Sequence, residues 1–448
     1  MALPTGFEEP DEYFEEFFNF LHKYEYLFNF PNTDLLVNNA LDKIELDCED
    51  INMFSDNFEI RKTNFEYLTD IFENLDKLTV KYDEFIENEN LEFMVDVPLS
   101  TKKKHEIAYL AKEIENVCKT IECDTIVDFG SGLGYLDEQL FKTSDFNVLG
   151  LECNEANYVG AKKRQRKYHV ESIQRVKYIK HTINTESYRN IKEFVDDKFP
   201  DCKGVCITGL HACADLTVDA INIFLKMEQA GALVIMPCCY HRIIAENGRN
   251  CRFKNFPLSK TLKEVCEKNN GFKFLTVPFL RLATQPPNVE DAKLEDLVFN
   301  LLARAVLQAY ASKHNCKLKR TKRKAVRLKT LENNFEAYAV DAVKGFKLIR
   351  NVNGQTDEAA KDLEEKIDNE ELFSIWRQMN QVTFKKAAIF VLLQNSMQPV
   401  FENLVLYDRL VYLHENGIEN CTFNKIVNAK ISPRCLALVA CKVQTGKF

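Results

Sequence analysis

Two short stretches concentrate the residue types that move protons, attack carbon or hold metals. TGLHACADL (208–216) brings His211, Cys213 and Asp215 together, and MPCCYHRI (236–243) brings Cys238, Cys239, Tyr240 and His241. Three chemistries suit them. Cysteine and histidine are the preferred ligands of zinc, but no Cys-x-x-Cys pair is present and the adjacent Cys238 and Cys239 do not easily face one ion, so no metal is expected. A thiolate of Cys213 or Cys238 is a nucleophile towards a pyrimidine ring if its pKa is lowered; Ala212 stands where a proline would strengthen that reading. The third chemistry, which we favour, is a substrate pocket. Tyr240 and His241 then position a ring or hydroxyl, and His211 or His241 serves as general base.

A third stretch, DTIVDFGSGLGYLDEQL (124–140), has the form of a nucleotide loop. An apolar run ends in Asp128, and Gly130, Ser131, Gly132 and Gly134 lead into a helical pattern. Glycines there let the backbone turn sharply and approach a ligand, and a helix N-terminus favours an anion. The spacing D-x-G-x-G-x-G departs from the G-x-G-x-x-G of pyrophosphate-binding folds. It points to S-adenosylmethionine, whose carboxylate can use the loop amides and whose ribose carries no diphosphate. Glu152, at the end of VLGLE and 24 positions after Asp128, suits the ribose hydroxyls. A methyltransferase is the expected function.

These groups need elements to hold them. Short β-branched runs, IVDF (126–129), NVLGLE (147–152), VKYIKHT (176–182), GVCITGL (204–210), GALVIM (231–236) and FKFLTVPF (272–279), alternate with segments that suit helices at 133–142, 155–168, 187–198 and 215–229. The alternation predicts an α/β fold, a Rossmann-like, doubly wound parallel sheet. Ligands of such sheets lie beyond the carboxyl ends of the strands near the switch point. The fourth and fifth strands are neighbours in the usual order, so the two reactive stretches meet beside the glycine loop. Around this core (99–290) we expect an acidic helical N-terminal lobe (1–98), with Phe14, Phe17, Phe18 and Leu21, then Leu68, Ile71, Phe72 and Leu75, at helical spacing. A helical, partly basic insertion (291–420) precedes a C-terminal segment (421–448) whose run SPRCLALVACKV (432–443) is expected to return to the sheet.

Charge is unevenly divided. Residues 1–100 carry 25 Asp and Glu against 6 Lys and Arg, and the remainder carries 42 against 53. In KHNCKLKRTKRKAVRLK (313–329) nine of 17 residues are basic, which offers Lys317, Lys319, Arg320, Lys322, Arg323 and Lys324 to RNA phosphates. A nuclear import signal and a solvated helix face are its other readings, and no aromatic interleaves the run for base stacking. The acidic lobe would repel a phosphate backbone and better suits capping the pocket or meeting a basic protein. The opening MALPTGFEEPDEYFEEFF lacks the basic and apolar regions of a signal peptide, and no segment approaches 18 uncharged apolar residues. Neither secretion nor membrane association is expected, and the 15 scattered cysteines then read as reduced thiols in the cytoplasm or nucleus.

With these residues assembled, the chain resembles the methyltransferase-like protein 25 family, which includes the ribosomal RNA adenine dimethylase domain-containing proteins. LSTKKKHEIAYLAKEI (99–114) looks like the family's K-K-x-H-E block, VDFGSGLGYL its cofactor loop, GLHACADL its G-L-H-x-C-G-D-L segment and PCCYHRI its G-C-C-Y segment. LVLYDRLVYLHENGI (404–418) followed by SPRCLALVACK looks like its C-terminal signature. The resemblance implies a cofactor loop at Asp128, Gly130, Gly132 and Gly134 and a pocket of His211, Cys213, Asp215, Cys238, Cys239 and Tyr240. Ala214 and Pro237 stand where the family has glycine, and LRLATQ (280–285) differs from its R-E-L-A-C-H pattern. A more distant likeness to transfer RNA 2′-O-methyltransferases points to RNA as acceptor. A protein methyltransferase and a non-catalytic cofactor-binding scaffold are the alternatives.

Overall fold

The computed structural model describes residues 4, 6–45, 51–55, 58–63, 65–246, 252–285, 293–322, 333–350 and 364–442. The chain divides into two compact units, one of residues 1–18, 78–286 and 400–448, the other of residues 19–77 and 287–399.

The first unit is built on a seven-stranded sheet whose strands we number along the chain: β1 (Thr125–Phe129), β2 (Asn147–Glu152), β3 (Val176–Lys180), β4 (Val205–Cys213), β5 (Ala230–Cys238), β6 (Cys421–Lys425) and β7 (Leu436–Cys441). Their order is β3-β2-β1-β4-β5-β7-β6. The first five are parallel, and β7 runs antiparallel to both β5 and β6. Every residue of β1 is buried, as a central strand covered on both faces requires. The order reverses at β1 and β4, so the crevice at their carboxyl ends is where a ligand fits this sheet.

Helix Thr101–Ile121 begins at Ser100, whose side chain accepts from the Lys103 amide. Its Ile107, Leu110, Ala111, Ile114 and Cys118 form one stripe, buried in a common core with Ile126, Val148, Cys206 and Val234. The C-terminal run lies in the sheet, where Leu438 pairs with Ile235 and Val439 with Val234.

One expected strand is absent. FKFLTVPF (272–279) contains a 3-10 turn at Gly271–Lys273 and enters helix Val277–Thr284. Thr276 caps that helix by accepting from the Phe279 amide, and Pro278 sits in its first turn, where a missing N–H costs nothing. The sheet position is filled by CTFNK (421–425), too short and too polar for its period to stand out.

In the second unit, helices Leu294–Lys313, Phe335–Gly345 and Asn369–Arg377 enclose a core in which Phe335 stacks on Trp376 at 4.3 Å between ring centroids. Strands Cys316–Arg320, Phe346–Arg350 and Glu364–Glu365 make an antiparallel sheet. Cys316 and Leu348 are buried in the core, while Lys317 and Lys319 are exposed, Lys319 directly opposite Lys347.

Within the first unit, Asp408 is buried and accepts from the amides of Leu258 and Ser259, at 2.7 and 2.9 Å, and from the Ser259 hydroxyl at 2.6 Å. It thereby holds the start of helix Lys260–Lys268. Asp408→Ala would strand three donors in the interior, costing on the order of 3 kcal/mol. A lowered Tm in calorimetry, with Asp408→Asn intermediate, is the expected outcome.

Candidate active site

The glycine loop leaves β1 with Gly130, Gly132 and Gly134 all at positive φ, +75°, +61° and +75°. Two of them are glycine for different reasons. A Cβ at Gly134 would lie 2.1 Å from the Tyr178 hydroxyl, whereas one at Gly132 would meet nothing nearer than the Gly130 carbonyl at 3.9 Å. Gly134 is therefore fixed by packing, and Gly132 borders open space in which a ligand can lie against bare backbone. The Gly130 and Ser131 amides donate to the Leu151 carbonyl. Glu152 then bridges two loops, accepting from the Gly132 amide at 3.0 Å and the Asn154 amide at 2.7 Å.

Beneath the loop sits a set of buried polar groups. Asp128 Oδ1, both oxygens of Asp137, Ser131 Oγ and Tyr178 Oη make no hydrogen bond of ordinary geometry. Burial, then the neighbouring charge of Asp137, pushes the Asp128 carboxyl well above its usual range. Burial likewise raises Asp137 to about 7, against hydrogen bonds from Asp128 and Tyr178 that oppose the rise. Buried carboxyls with so few donors, beside an open glycine edge, fit a ligand that brings a cation and hydroxyls, as S-adenosylmethionine does.

The tips of β4 and β5 carry strained backbone. The pairing shifts register between Gly209 and Ala212, and His211, Ala214 and Cys239 all take positive φ, +60°, +52° and +55°. Such conformations cost about 1–3 kcal/mol each and persist where the surroundings impose them. Ala214, at ψ −121°, occupies a region that glycine alone enters freely, which explains why glycine suits that position.

His211 Nε2 lies 3.1 Å from Glu106 Oε2. Glu106 is 1% exposed, and its other oxygen accepts from the Ser432 hydroxyl at 2.6 Å. Burial would raise its pKa, but the bonds from His211 and Ser432 outweigh it and the net direction is down. A charged carboxylate there fixes the proton on Nε2 and leaves Nδ1 as the basic nitrogen. No role was assigned to Glu106 from sequence; the K-K-x-H-E resemblance was the signal for it.

The remaining expected residues divide by role. Asp215 accepts from the Ile244 amide and from Asn255 Nδ2, at 2.9 and 2.7 Å, so it anchors the chain after β5. Tyr240 is buried and donates to Glu402 at 2.9 Å; Glu402 pairs with Arg434, and the Arg409 guanidinium lies over the tyrosine ring. Arg434 also donates to the carbonyls of Ala283, Thr284 and Gln285. The divergent LRLATQ segment thus serves through its backbone, which no side-chain pattern records. His241 is partly buried, and its Nδ1 makes no hydrogen bond. Burial first, then the charges of Arg281 and Arg242, lower its pKa and keep it neutral at neutral pH.

Cys213 and Cys238 face each other across the two strands, sulfur to sulfur 3.1 Å. The Cys238 thiol, ahead of smaller contributions from Cys239, His211 and Arg242, pulls Cys213 down to about 6 against the effect of burial, while Cys238 is held protonated. Cys239 turns back through its left-handed backbone, so all three sulfurs lie within 4.8 Å of one another. The expectation that adjacent cysteines cannot face one point is thereby corrected.

Of the basic run, Lys317, Lys319, Arg320 and Lys322 are exposed in the second unit, and Arg323 and Lys324 lie outside the described residues. No helix among the described residues is long and apolar enough to cross a membrane.

A methyltransferase-domain family model matches residues 102–246, a range that holds the glycine loop, Glu106, His211 and all three clustered thiols. The mouse protein named probable methyltransferase-like protein 25 is 24% identical over 258 residues, 55% of this chain and 39% of that protein. Its human counterpart is 26% identical over 310 residues, 67% of this chain and 46% of that protein. The chain therefore spans less than half the length of these relatives. Among solved structures, an RNA methyltransferase from Salinibacter ruber in complex with S-adenosyl-L-homocysteine is 13% identical, with a TM-score of 0.21 over 34% of this chain and 84% of that one. The methyltransferase domain of bacterial CtHen1 is 14% identical, with a TM-score of 0.23 over 37% and 86%. At such scores the fold rests on the strand order itself.

Two outcomes are expected. Because Asp137 titrates from 3.8 unfolded to about 7 folded, the stability it contributes is full below about pH 4 and is lost as pH rises through 7. The slope from this group reaches about 1.4 kcal/mol per pH unit; urea unfolding at stepped pH measures it, and Asp137→Asn reduces it, leaving the part that Asp128 contributes in the same direction. Ala214→Gly relieves the strained backbone and raises stability by about 1 kcal/mol in the same assay.

Proposed function

We propose that the chain, which carries a methyltransferase domain and is similar to probable methyltransferase-like protein 25, is an S-adenosylmethionine-dependent methyltransferase whose acceptor is RNA. The observation that carries the reading is the His211–Glu106 pair at the tip of β4, on the sheet edge that also bears the glycine loop.

Asp128, Gly130, Ser131, Gly132, Gly134 and Glu152 would hold the cofactor, the glycines by letting it lie against bare backbone and Glu152 through the remaining lone pairs of its carboxylate. When bound, it supplies an electrophilic methyl group on a sulfonium. The protein's own task is the proton on the acceptor. His211 takes it at Nδ1 from a hydroxyl or protonated amine, and Glu106, bonded to the opposite nitrogen, stabilises the imidazolium that results. His241, neutral and with an unpartnered Nδ1, is a second acceptor at the same edge. Asp215 and Tyr240 act as positioning residues, because their polar atoms are engaged with Asn255 and Glu402. Of the thiols, Cys213, its pKa lowered while Cys238 is held protonated, would act directly only in carbon methylation.

RNA is supported by the small sheet of the second unit, where Lys317 and Lys319 are exposed and Lys319 faces Lys347.

Labelled-methyl transfer into RNA and protein fractions from cells lacking this chain tests the reading. Label in RNA is expected, with His211→Ala slower by about 10²–10⁴-fold yet still binding S-adenosylmethionine in calorimetry, and Gly132→Arg failing to bind it. Neutralising Lys317, Lys319, Arg320 and Lys322 should flatten the salt dependence of RNA binding by a log–log slope of about 3. Label in protein alone would overturn the RNA reading in favour of a protein acceptor drawn to the acidic lobe. Cofactor binding without transfer would leave a scaffold, and a trapped adduct lost in Cys213→Ala or Cys238→Ala would mean carbon methylation.

A further inference from the structure

Three thiols converge at the carboxyl edge of β4 and β5, and the proton chemistry assigned to His211 does not need them. Two features of the backbone bring them together. Cys213 and Cys238 are direct partners in the parallel pairing of β4 with β5, and the Ala214 amide donates to the Cys238 carbonyl at 3.0 Å, locking the two ends. Cys239 then takes φ +55° and ψ 43°, a conformation a β-strand would never give it, and its sulfur folds back towards the other two. Among the described residues no other three His, Cys, Asp or Glu side chains gather in this way.

We infer that Cys213, Cys238 and Cys239 form a three-thiolate site for a zinc ion, with the fourth position open. Sulfur ligands at about 2.3 Å from tetrahedral zinc stand about 3.8 Å apart. The three sulfurs already lie within 4.8 Å of one another, so small side-chain rotations suffice and no backbone change is needed. Thiolates select soft, borderline ions over magnesium or calcium. Cys238 is 5% exposed, but Cys213 and Cys239 are only partly covered, which leaves a coordination position for water or for a heteroatom of the acceptor. Three protein ligands and an open position are the pattern of a reactive rather than a purely structural zinc site. The ion displaces the thiol protons to solvent, so its affinity rises with pH. The strain at Cys239 would then have a use, because an extended residue there would carry its thiol away from the other two.

The test uses the full chain, purified with a phosphine reductant and stripped of metal. Zinc is titrated against a chromophoric chelator, and cobalt(II) is titrated separately to read the thiolate-to-metal charge-transfer band. One zinc per chain and a cobalt band are expected, with Cys213→Ser and Cys239→Ser each weakening zinc by more than the roughly 10–100-fold that loss of an outer-shell partner costs. Melting curves of the stripped variants, unchanged from the stripped wild type, separate ligand loss from misfolding. The cobalt band of the wild type stands as evidence even where a variant fails to fold. Failure of the reduced wild type to compete for zinc, retention of zinc by the triple Cys→Ser variant, or a Cys213–Cys238 disulfide found by mass spectrometry in a chain that takes up no metal would each overturn the site. These measurements need neither cofactor nor methyl transfer, so their outcome is independent of the proposed reaction.

Discussion

A carboxylate keeps its charge in the interior only where donors meet its oxygens, and the candidate site depends on how that requirement is met at Glu106. Its two oxygens are bonded to His211 at the tip of β4 and to Ser432 in the segment before β7. Three distant parts of the chain are therefore tied at one interior point, the helix ahead of the sheet, the reactive end of a central strand and the returning C-terminal segment. Two residues after Ser432, Arg434 meets Glu402, which also takes the Tyr240 hydroxyl. A single short segment thus braces the ends of both β4 and β5, and the groups between those ends have little freedom to move.

The same region concentrates unfavourable arrangements. His211, Ala214 and Cys239 hold positive φ, and under the glycine loop two carboxyls share an interior with few donors. Neither feature helps the fold. Strain and unmet polarity of this kind mark places where the protein is organised for something other than its own stability. They fall together at the carboxyl edge of the sheet, where the strand order opens a crevice.

How much of this was legible depends on whether the signal was local. β1 to β5 were readable because buried parallel strands are short continuous β-branched runs, and the loop after β1 because glycine spacing records backbone geometry directly. Leu436–Cys441 is recognisable as a strand because it is a short, continuous apolar run. FKFLTVPF misled because its apolar residues suit either period, and the deciding features, a Thr276 cap and Pro278 in the first turn, act on the backbone. CTFNK was passed over because only Cys421 and Phe423 of its five residues are buried. Glu106 was visible as a motif letter but not as a partner of His211, 105 positions away. The convergence of Cys238 and Cys239 is not legible in the sequence, because adjacency places two side chains on opposite faces only while the chain stays extended, and Cys239 turns left-handed.

The place of β7 in the sheet has a consequence for how the chain is made. β5 is complete about 200 residues before its antiparallel partner is synthesised. At ribosomal rates of about 5–20 residues per second, its outer edge has no native neighbour for roughly 10–40 s. An open, apolar strand edge invites pairing with other chains. The newborn protein thus spends its riskiest interval with the most reactive strand of its sheet uncovered, and a chaperone acting on it has that strand to shield.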